Sequence, residues 1–397
     1  MKLLLIVDDY LPDSIKIASK MMHQLGCEFL RQGHEVTVVT PKIDLKSSSE
    51  ICTLDGVQVC RFKSGKIKNV NKITRALNET MLSRRAWKSL KHFFINNPHD
   101  AVIYYSPSIF FGSLVKQLKR LWKCKSYLIL RDIFPQWTVD NGLMSDKSLI
   151  YLYFKLFETI NYRAADRIGV MSPANLRFFE SSRKDSSKFE VLHNWASSSP
   201  FTDKFKTTYR DKYGLQGKVV FFYGGNIGHA QDMMNIVRLA KSLKDDEHAH
   251  FLFVGKGDEV ELILKAKKDF SLNNLTYLPP VDQKTYYEML AEFDVGLFSL
   301  HAEHKTHNFP GKLLGYMDTG IPILGSVNRG NDLKEIVEST EAGFVSINGD
   351  DEKLLTDARR LINDHLIRKK MGKNGKQLLE NIFSVKAACS KVINGLN

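Results

Sequence analysis

Residues 218–228 read KVVFFYGGNIG, an apolar run that ends in glycines. The run has the length of one buried β-strand, and its glycines predict a tight turn into a helix that begins near Asp232. Strand, turn and helix in this order are the repeating unit of an α/β fold with a parallel sheet. Five further runs of this kind follow: AHFLFVGKGD from Ala249, LTYLPPV from Leu275, DVGLFSL from Asp294, IPILGSV from Ile321 and AGFVSI from Ala342.

The first half of the chain predicts a second parallel sheet. Its strand and helix patterns are KLLLIV at residues 2–7, a helix over Ala18 to Arg31, EVTVVTP at residues 35–41, AVIYYS from Ala101, SYLILRD from Ser126 and RIGVMS from Arg167. The Ser-rich segment HNWASSSPFTDKF from His193 predicts an interdomain linker. We therefore predict an α/β protein with two Rossmann-like domains, 1–195 and 196–375, facing a ligand crevice, and a helix at 376–397 that packs back on the first domain.

The composition is that of a folded globular protein. Of 397 residues, 43% are apolar and 25% are charged, which excludes a disordered, collagen-like or coiled-coil chain. The five cysteines lack a CxxC spacing, so neither a disulfide framework nor a zinc site is indicated. Lys155 and Glu158 interrupt the most apolar stretch, LIYLYFKLFETI from Leu149, and KLLLIV is too short for a signal peptide. We expect a cytoplasmic protein that does not span a membrane.

Positive charge is concentrated in the first half of the chain. Residues 1–200 contain 30 Lys and Arg against 18 Asp and Glu, while the remainder is nearly neutral. The segment 82–94 forms an amphipathic basic pattern, with Leu82, Leu90 and Phe94 on one side and Arg85 and Lys88 on the other. Three interpretations remain open: an ordinary surface helix, a helix on anionic lipid, and a nucleic-acid contact. Because no nucleic-acid motif accompanies the charge, lipid is favoured over nucleic acid.

Two glycine turns and one lysine predict a phosphate-binding edge in the second half. Gly224–Gly228 and the segment 253–258 follow successive strands, although neither is a GxGxxG or P-loop motif, so nicotinamide and ATP-hydrolysis functions lose support. Pro310 favours a helix that starts near Gly311, with Lys312 in its first turn. A lysine there opposes the helix dipole, which is unfavourable unless the helix end holds a diphosphate.

A second polar group follows a predicted strand of the first half. Arg131 and Asp132 end SYLILRD, either as a structural ion pair or as crevice-lining residues, and the position after a strand favours the latter. His301, His304 and His307 lack acidic partners, which argues for a polar loop over a metal site. The chain contains no Asp-x-Asp pair that could hold a divalent metal. The charge of a leaving diphosphate is therefore expected to be met by backbone dipoles and basic side chains, with no metal and no cofactor.

These segments resemble family 4 of the glycosyltransferases, enzymes with the two-domain GT-B fold. The resemblance extends over essentially the whole chain and rests on GHEVTVVTP, YRAADRIGVMSP, VLHNW, FFYGGNIGHAQDM, FLFVGKGDE, DVGLFSL, PGKLLGYMDTGIPILGS and AGFVSINGDD. HKTHNFPGKLLGYM and RDIFP are most similar to the WbuB-type N-acetyl-L-fucosaminyltransferases of O-antigen assembly. The resemblance implies transfer from UDP-N-acetyl-L-fucosamine, held by the second domain, to N-acetylglucosamine on an undecaprenyl diphosphate, held by the first. It also implies a peripheral place on the inner face of the cytoplasmic membrane.

The resemblance and the pattern together imply site residues. The expected catalytic residues are Asp132, Lys312 and His307, with Asp132 on the acceptor hydroxyl. Residues expected around the donor are Gly225, Asn226, Val254, Gly255, Lys256, Pro280, Val281, Asn308, Phe309, Pro310, Gly311 and Leu313. Lys16 and Arg131 are expected on the acceptor side. Retention of anomeric configuration is implied, and in an inverting reaction Asp132 would be the general base.

The sequence departs from the family pattern at three places. His307 and Gly315 occupy the positions of the family's Glu-x7-Glu carboxylates. Asn226 and Gln231 stand where the family often has Arg and Lys, so that Lys312, with Lys305, would supply the charge. Residues 13–16 replace a glycine-rich loop. A different donor sugar and a catalytically silent, membrane-associated scaffold therefore remain as alternatives.

Overall fold

The computed structural model describes residues 1–14, 17–66, 71–140, 142, 144–182, 185–196, 209–303 and 309–397. The chain forms two compact units. Unit 1 consists of residues 1–196 and 385–397, and unit 2 consists of residues 197–384. Most of the predicted linker lies outside the described residues. Within the described ranges, no helix is both long enough and apolar enough to cross a bilayer.

Unit 1 is a largely parallel sheet with helices on it. Its strands are β1 (Lys2–Ile6), β2 (Glu35–Lys42), β3 (Ser49–Leu54), β4 (Val57–Lys63), β5 (Ala101–Ser106), β6 (Lys125–Leu130), β7 (Arg167–Val170) and β8 (Phe189–Val191). Its helices are α1 (Ile17–Arg31), α2 (Lys72–Thr80), α3 (Leu82–Asn96), α4 (Gly112–Trp122), α5 (Gln136–Asp140), α6 (Leu149–Ala164) and α7 (Pro173–Ser182). The strand order is β3-β4-β2-β1-β5-β6-β7-β8. The sequence analysis did not predict the β3–β4 hairpin, which pairs antiparallel across the Asp55-Gly56 turn.

Unit 2 is a parallel sheet in the order β11-β10-β9-β12-β13-β14. Its strands are β9 (Val219–Asn226), β10 (Ala249–Lys256), β11 (Leu275–Leu278), β12 (Val295–Ser299), β13 (Ile323–Val327) and β14 (Gly343–Ile347). Its helices are α8 (Tyr209–Tyr213), α9 (Met233–Ser242), α10 (Val260–Asp269), α11 (Gln283–Glu292), α12 (Lys312–Thr319), α13 (Asp332–Ser339), α14 (Asp351–Asn363) and α15 (His365–Leu378). The two-unit α/β architecture predicted from the alternating pattern is confirmed.

The strands form where the sequence is continuously apolar. Both faces of a parallel sheet are covered by helices, so its strands bury successive residues instead of alternate ones. Leu3 to Ile6 of β1 and Val220 to Tyr223 of β9 are fully buried. In unit 2 the Phe221 and Phe251 rings stack at 5.0 Å between neighbouring strands. Burial of aromatic and aliphatic surface on this scale is what stabilises each unit.

The C-terminal segment differs from the single helix predicted over 376–397. Helix α15 ends at Leu378, a π-helical turn covers Leu379–Phe383, and α16 (Val385–Leu396) follows after an extended Ser384. Leu379 and Phe383 are buried within unit 2, whereas α16 packs in the core of unit 1 beside α1. The apolar side chains before Ser384 pack in the core of unit 2 and those after it pack in the core of unit 1, so the helix is interrupted at Ser384.

The basic helix predicted at 82–94 is α3, and its apolar face is covered. Leu82, Ala86, Leu90 and Phe94 are buried in the unit 1 core, and the Trp122 indole N–H donates to the Phe94 carbonyl at 2.9 Å. Its basic side chains remain on the outer side. Of the three interpretations of this segment, the observed packing is that of an ordinary surface helix.

Close packing of α15 against the end of α12 gives a stability prediction. A Cβ on Gly372 would overlap the Gly320 carbonyl oxygen at the α12 C-cap, whereas a Cβ on Gly375 would make ordinary contact, 3.7 Å from the Met317 Cα. We expect Gly372→Ala to lower the free energy of unfolding by about 2 kcal/mol through overpacking. Thermal and urea unfolding measure this effect. Gly375→Ala, the control in the same helix, should be neutral or stabilising, because alanine favours helix. Equal effects of the two changes would contradict the packing argument.

Candidate functional site

The carboxyl ends of β9 and β10 enclose a cavity of about 270 Å³ in unit 2. It is lined by Gly225, Asn226, Val254, Gly255, Lys256, Pro280, Val281 and Tyr286. The sequence analysis named every one of these residues except Tyr286. In an open parallel sheet, ligands bind at this edge, where the strand order reverses, and here it reverses between β9 and β12. The structure therefore brings together the strand-end part of the predicted donor set.

The glycines of the two turns are required by close backbone packing. Gly255 lies opposite Gly225 in the β9–β10 pairing, and a Cβ on Gly255 would overlap the Gly225 carbonyl oxygen. Gly225 itself has φ +117°, a conformation that residues with a side chain rarely adopt. Gly225 and Asn226 are exposed. The turn thus presents bare backbone, and the Asn226 amide is directed sideways to Gln231 Oε1 at 2.7 Å.

Lys312 places a buried ammonium directly beneath this turn. Its Nζ lies 3.4 Å from the centroid of the Tyr223 ring and 4.0 Å from the position of a Cβ on Gly225. Within the described residues this Nζ is buried and has no acceptor for a hydrogen bond. Burial lowers the pKa of Lys312 well below its ordinary value. An unpaired buried ammonium is strongly unfavourable, and the Tyr223 ring offsets only part of that cost.

Three tyrosines support the turn and the helix that carries Lys312. The Tyr223 hydroxyl donates to the Asn226 carbonyl at 2.7 Å, and the Tyr316 hydroxyl donates to the Leu297 carbonyl at 2.9 Å. The Tyr286 ring fills the space beside Gly224, where a Cβ would overlap it. Tyr223 and Tyr316 are fully buried and Tyr286 is half-buried, and burial raises the pKa of each hydroxyl. The sequence analysis missed these tyrosines, because an apolar strand or helix pattern does not distinguish a supporting tyrosine from a core residue.

The remaining donor residues predicted at the start of α12 anchor that helix. The Phe309 ring packs on Phe383 at 4.4 Å, the Pro310 carbonyl accepts the Leu313 N–H at 3.1 Å, and Leu313 is fully buried. Gly311 is exposed at the N-cap. His307 and Asn308 lie outside the described residues, as do Lys305 and Lys16. Their predicted roles stay predictions.

A second cavity, also of about 270 Å³, lies at the strand ends of unit 1. Asp8 follows β1, Ser108 and Phe110 follow β5, and Asp132 follows β6, so that the three loops meet where this sheet reverses its strand order. Burial raises the pKa of the Asp132 carboxyl although the residue reaches solvent. Asp132 was predicted, whereas Asp8, which directly follows the apolar run at residues 2–7, was not.

Arg131 lies behind this cavity instead of lining it. Its guanidinium donates to the Leu192 carbonyl at 2.9 Å and to the His193 carbonyl at 3.1 Å, and it lies 5.2 Å from the Trp195 ring centroid. Burial lowers the pKa of Arg131 to about 10. Because the guanidinium is bound to two backbone carbonyls, its placement on the acceptor side favours a role in positioning the neighbouring Asp132 over direct contact with an acceptor.

Groups of three or more His, Cys, Asp or Glu side chains suited to a metal ion do not occur among the described residues. His301 is described, and its backbone N–H donates to the Ala230 carbonyl at 3.1 Å, while its ring lies 4.8 Å from His229. His304 and His307 fall in the part of the chain that is not described. Lys256 lines the unit 2 cavity, and Lys312 lies next to it beneath the Gly225 turn.

Comparison with known proteins connects both the sequence and the fold to glycosyltransferases. Residues 205–378 match the family model described as glycosyl transferases group 1. The chain is 26% identical over 227 residues to a probable glycosyltransferase, WbjE, of Pseudomonas aeruginosa. The aligned stretch covers 55% of each protein. The chain spans about half the length of the curated relatives it matches.

Solved structures extend the likeness of fold to both units. HepE from Anabaena in complex with UDP aligns with a TM-score of 0.66 at 13% identity, over 100% of this chain and 99% of that one. WaaG, a glycosyltransferase involved in lipopolysaccharide biosynthesis, aligns with a TM-score of 0.61 at 14% identity, over 100% and 99%. Both units thus have the α/β form of GT-B structures, and the segment 205–378, which carries the Lys312 site, matches the family model of glycosyl transferases group 1.

Proposed function

We propose that this protein is a glycosyltransferase that binds a nucleoside diphosphate sugar at the unit 2 cavity. The observation that carries the proposal is the Lys312 ammonium, buried without a hydrogen-bond partner under the exposed Gly225 turn. A diphosphate laid across this turn would supply the negative charge that Lys312 lacks, and the α12 N-terminus adds a favourable dipole. The UDP in the HepE complex, on the same fold, supports this choice of ligand.

In the proposed reaction, unit 2 stabilises the leaving group. The bond between the anomeric carbon and the phosphate oxygen breaks, and negative charge develops on the departing diphosphate. Lys312 and the backbone of Gly225 and Asn226 are already in place to meet that charge, so they stabilise the transition state more than the bound donor. Val254, Pro280 and Val281 would pack on the base and the ribose. This arrangement requires no metal ion.

Unit 1 supplies the acceptor side of the proposal. Asp132 would accept a hydrogen bond from the attacking hydroxyl. Arg131, which donates to two backbone carbonyls, would hold the neighbouring Asp132 in position. In a retaining reaction the leaving phosphate takes the hydroxyl proton and Asp132 only orients the acceptor. In an inverting reaction Asp132 takes that proton itself, and its raised pKa makes it a stronger base than an unperturbed aspartate. Asp8, on the adjacent loop, is a further acceptor contact.

The finer assignment is that of the WbuB-type enzymes. We propose UDP-N-acetyl-L-fucosamine as donor and N-acetylglucosamine-diphospho-undecaprenol as acceptor, in the assembly of O-antigen or another surface polysaccharide. The excess of basic residues in the first half of the chain supports a lipid-linked, anionic acceptor and attachment to the inner face of the cytoplasmic membrane. WaaG, which aligns over the whole chain, is described as a lipopolysaccharide enzyme.

A transfer assay with the purified protein tests the proposal. A panel of UDP-sugars is offered to a lipid-diphosphate N-acetylglucosamine with chelator present, and we expect product with UDP-N-acetyl-L-fucosamine. Asp132→Asn should lose transfer and still bind UDP, because it acts on the acceptor side. Product from another donor alone would correct the donor. UDP binding without transfer to any acceptor would support the scaffold instead.

Lys312→Met should separate activity from stability. Removal of one preorganised charge contact is expected to lower kcat/KM by about 100-fold. The same change removes a buried amino group that has no hydrogen-bond partner among the described residues and keeps most of the side-chain volume, so the melting temperature should rise. Steady-state kinetics and thermal unfolding measure the two effects. A loss of stability with unchanged kcat/KM would assign Lys312 a structural role.

UDP binding should be accompanied by proton uptake at Lys312. In the empty protein burial lowers the pKa of this amine, and the bound diphosphate would raise it again. The affinity for UDP should therefore fall as the pH rises above the pKa that Lys312 has in the empty protein. Calorimetry at about pH 8, where phosphate groups are already ionised, measures the uptake as a dependence of binding heat on the buffer's ionisation enthalpy. The same buffer dependence in Lys312→Met would contradict this assignment.

A further inference from the structure

Helix α6 of unit 1 exposes large apolar side chains on the surface. They are Leu149 (83% exposed), Ile150 (60%), Leu152 (54%), Tyr153 (38%) and Leu156 (57%). Isolated exposed leucines are ordinary, but five large apolar side chains within eight residues form a contiguous patch. Such a patch indicates a surface that is covered when the protein functions.

The patch occupies one face of the helix. Leu149, Leu152, Tyr153 and Leu156 follow the three- and four-residue spacing of a helical stripe, which continues through Ile160 to the exposed Arg163. The opposite face is buried, with Glu158, Asn161 and Tyr162 in the interior. There α6 meets α4 so closely that a Cβ on Gly112 would fall 2.6 Å from the Asn161 Cα. The core-facing side of α6 is thus already packed, and the apolar stripe points away from it.

Basic side chains surround the C-terminal half of the same stripe. A cavity of about 480 Å³ between α4 and α6 is lined by Lys116, Lys119, Arg120, Lys123, Ile160 and Arg163, together with Cys124 and Ala164. Lys119 is neutralised by Asp166 at 2.7 Å. In the described ranges no carboxylate forms an ion pair with Lys116, Arg120, Lys123 or Arg163. The cavity therefore carries uncompensated positive charge.

We propose that this α6–α4 face, defined by Leu149, Ile150, Leu152, Tyr153 and Leu156 with Lys116, Arg120, Lys123 and Arg163, is the surface with which the protein binds an anionic lipid bilayer. The leucines enter the boundary between headgroups and acyl chains, and the basic groups meet lipid phosphates. The inference deepens the proposed function, on which its biological purpose rests, because a lipid-linked acceptor must be reached from the membrane. It places the contact on α6 instead of α3, whose apolar face is buried.

The charges decide between a bilayer and a second copy of the chain. Self-association through this face would bring two uncompensated positive clusters together, which is unfavourable. An anionic bilayer satisfies both halves of the face at once. The basic cavity lies at the end of the apolar stripe, as expected for a helix that lies in the plane of the headgroups.

Vesicle flotation of the full-length protein, without nucleotide or acceptor, tests the proposal. The vesicles contain phosphatidylcholine alone or with phosphatidylglycerol, and we expect binding only to the latter, decreasing with salt. Leu152→Gln with Leu156→Gln should weaken binding by about tenfold or more, because two apolar side chains no longer enter the bilayer. Lys116→Gln with Arg120→Gln should weaken it by about fivefold per charge.

Matched controls locate the effect. Leu264→Gln with Leu366→Gln removes two exposed leucines of unit 2, and Lys88→Gln with Lys91→Gln removes two exposed charges of α3. Both pairs should change binding by less than twofold. Equal losses in a control pair, unchanged binding of the Leu152 and Leu156 variant, or a dimer in light scattering that this variant abolishes would overturn the proposal. Flotation measures membrane binding without any transfer step, so its outcome does not depend on whether the transfer assay gives product.

Discussion

The amino group of Lys312 is buried beside the unit 2 cavity, and the packing around it has to hold it in that place. It is held inside the protein under a glycine turn, against the Tyr223 ring, with no hydrogen-bond partner among the described residues. Such a group is retained against a large desolvation cost only if its position is over-determined by the packing around it. Phe309 on Phe383 anchors the start of α12, and Tyr316 ties the middle of that helix to β12. Stability is given up locally so that an amine able to take up a proton is already in place when an anion arrives.

Both units build their cavities in the same way but supply opposite chemistry. In each sheet the cavity lies at the carboxyl ends of the strands, in unit 1 where the strand order reverses and in unit 2 at the ends of β9 and β10, beside that point. Unit 2 offers exposed backbone and a cation, which suit a diphosphate. Unit 1 offers the carboxylates of Asp8 and Asp132, which suit hydroxyl groups. A division between a phosphate-binding unit and a hydroxyl-binding unit is what transfer between a nucleotide sugar and an acceptor alcohol requires.

The positive charge of the first half is also organised by packing. Helix α3 has the stronger amphipathic sequence pattern, but its apolar face completes the unit 1 core, so that only charge remains outside. Helix α6 has a nearly continuous apolar first half in sequence, and its inward contacts are made by Phe154 and Phe157 with Phe110 and by the buried Asn161 and Tyr162. Its leucines are left on the surface beside the basic cavity. The amphipathic character of this face thus comes from the basic residues of α4 next to the leucines of α6, and not from the sequence of α6 alone.

The sequence by itself determined the two parallel sheets and most of the unit 2 cavity. Continuous apolar runs that end in glycines specify buried strands and tight turns locally, and parallel strands bring their ends to one edge, so Gly225, Gly255 and Pro280 could be grouped in advance. The Asp55-Gly56 hairpin carried a usable turn signal that was overlooked. Tyr286, Asp8, the burial of Lys312 and the exposed face of α6 were decided only by the tertiary structure. Each depends on which distant element packs against it, and local propensity contains no information about that contact.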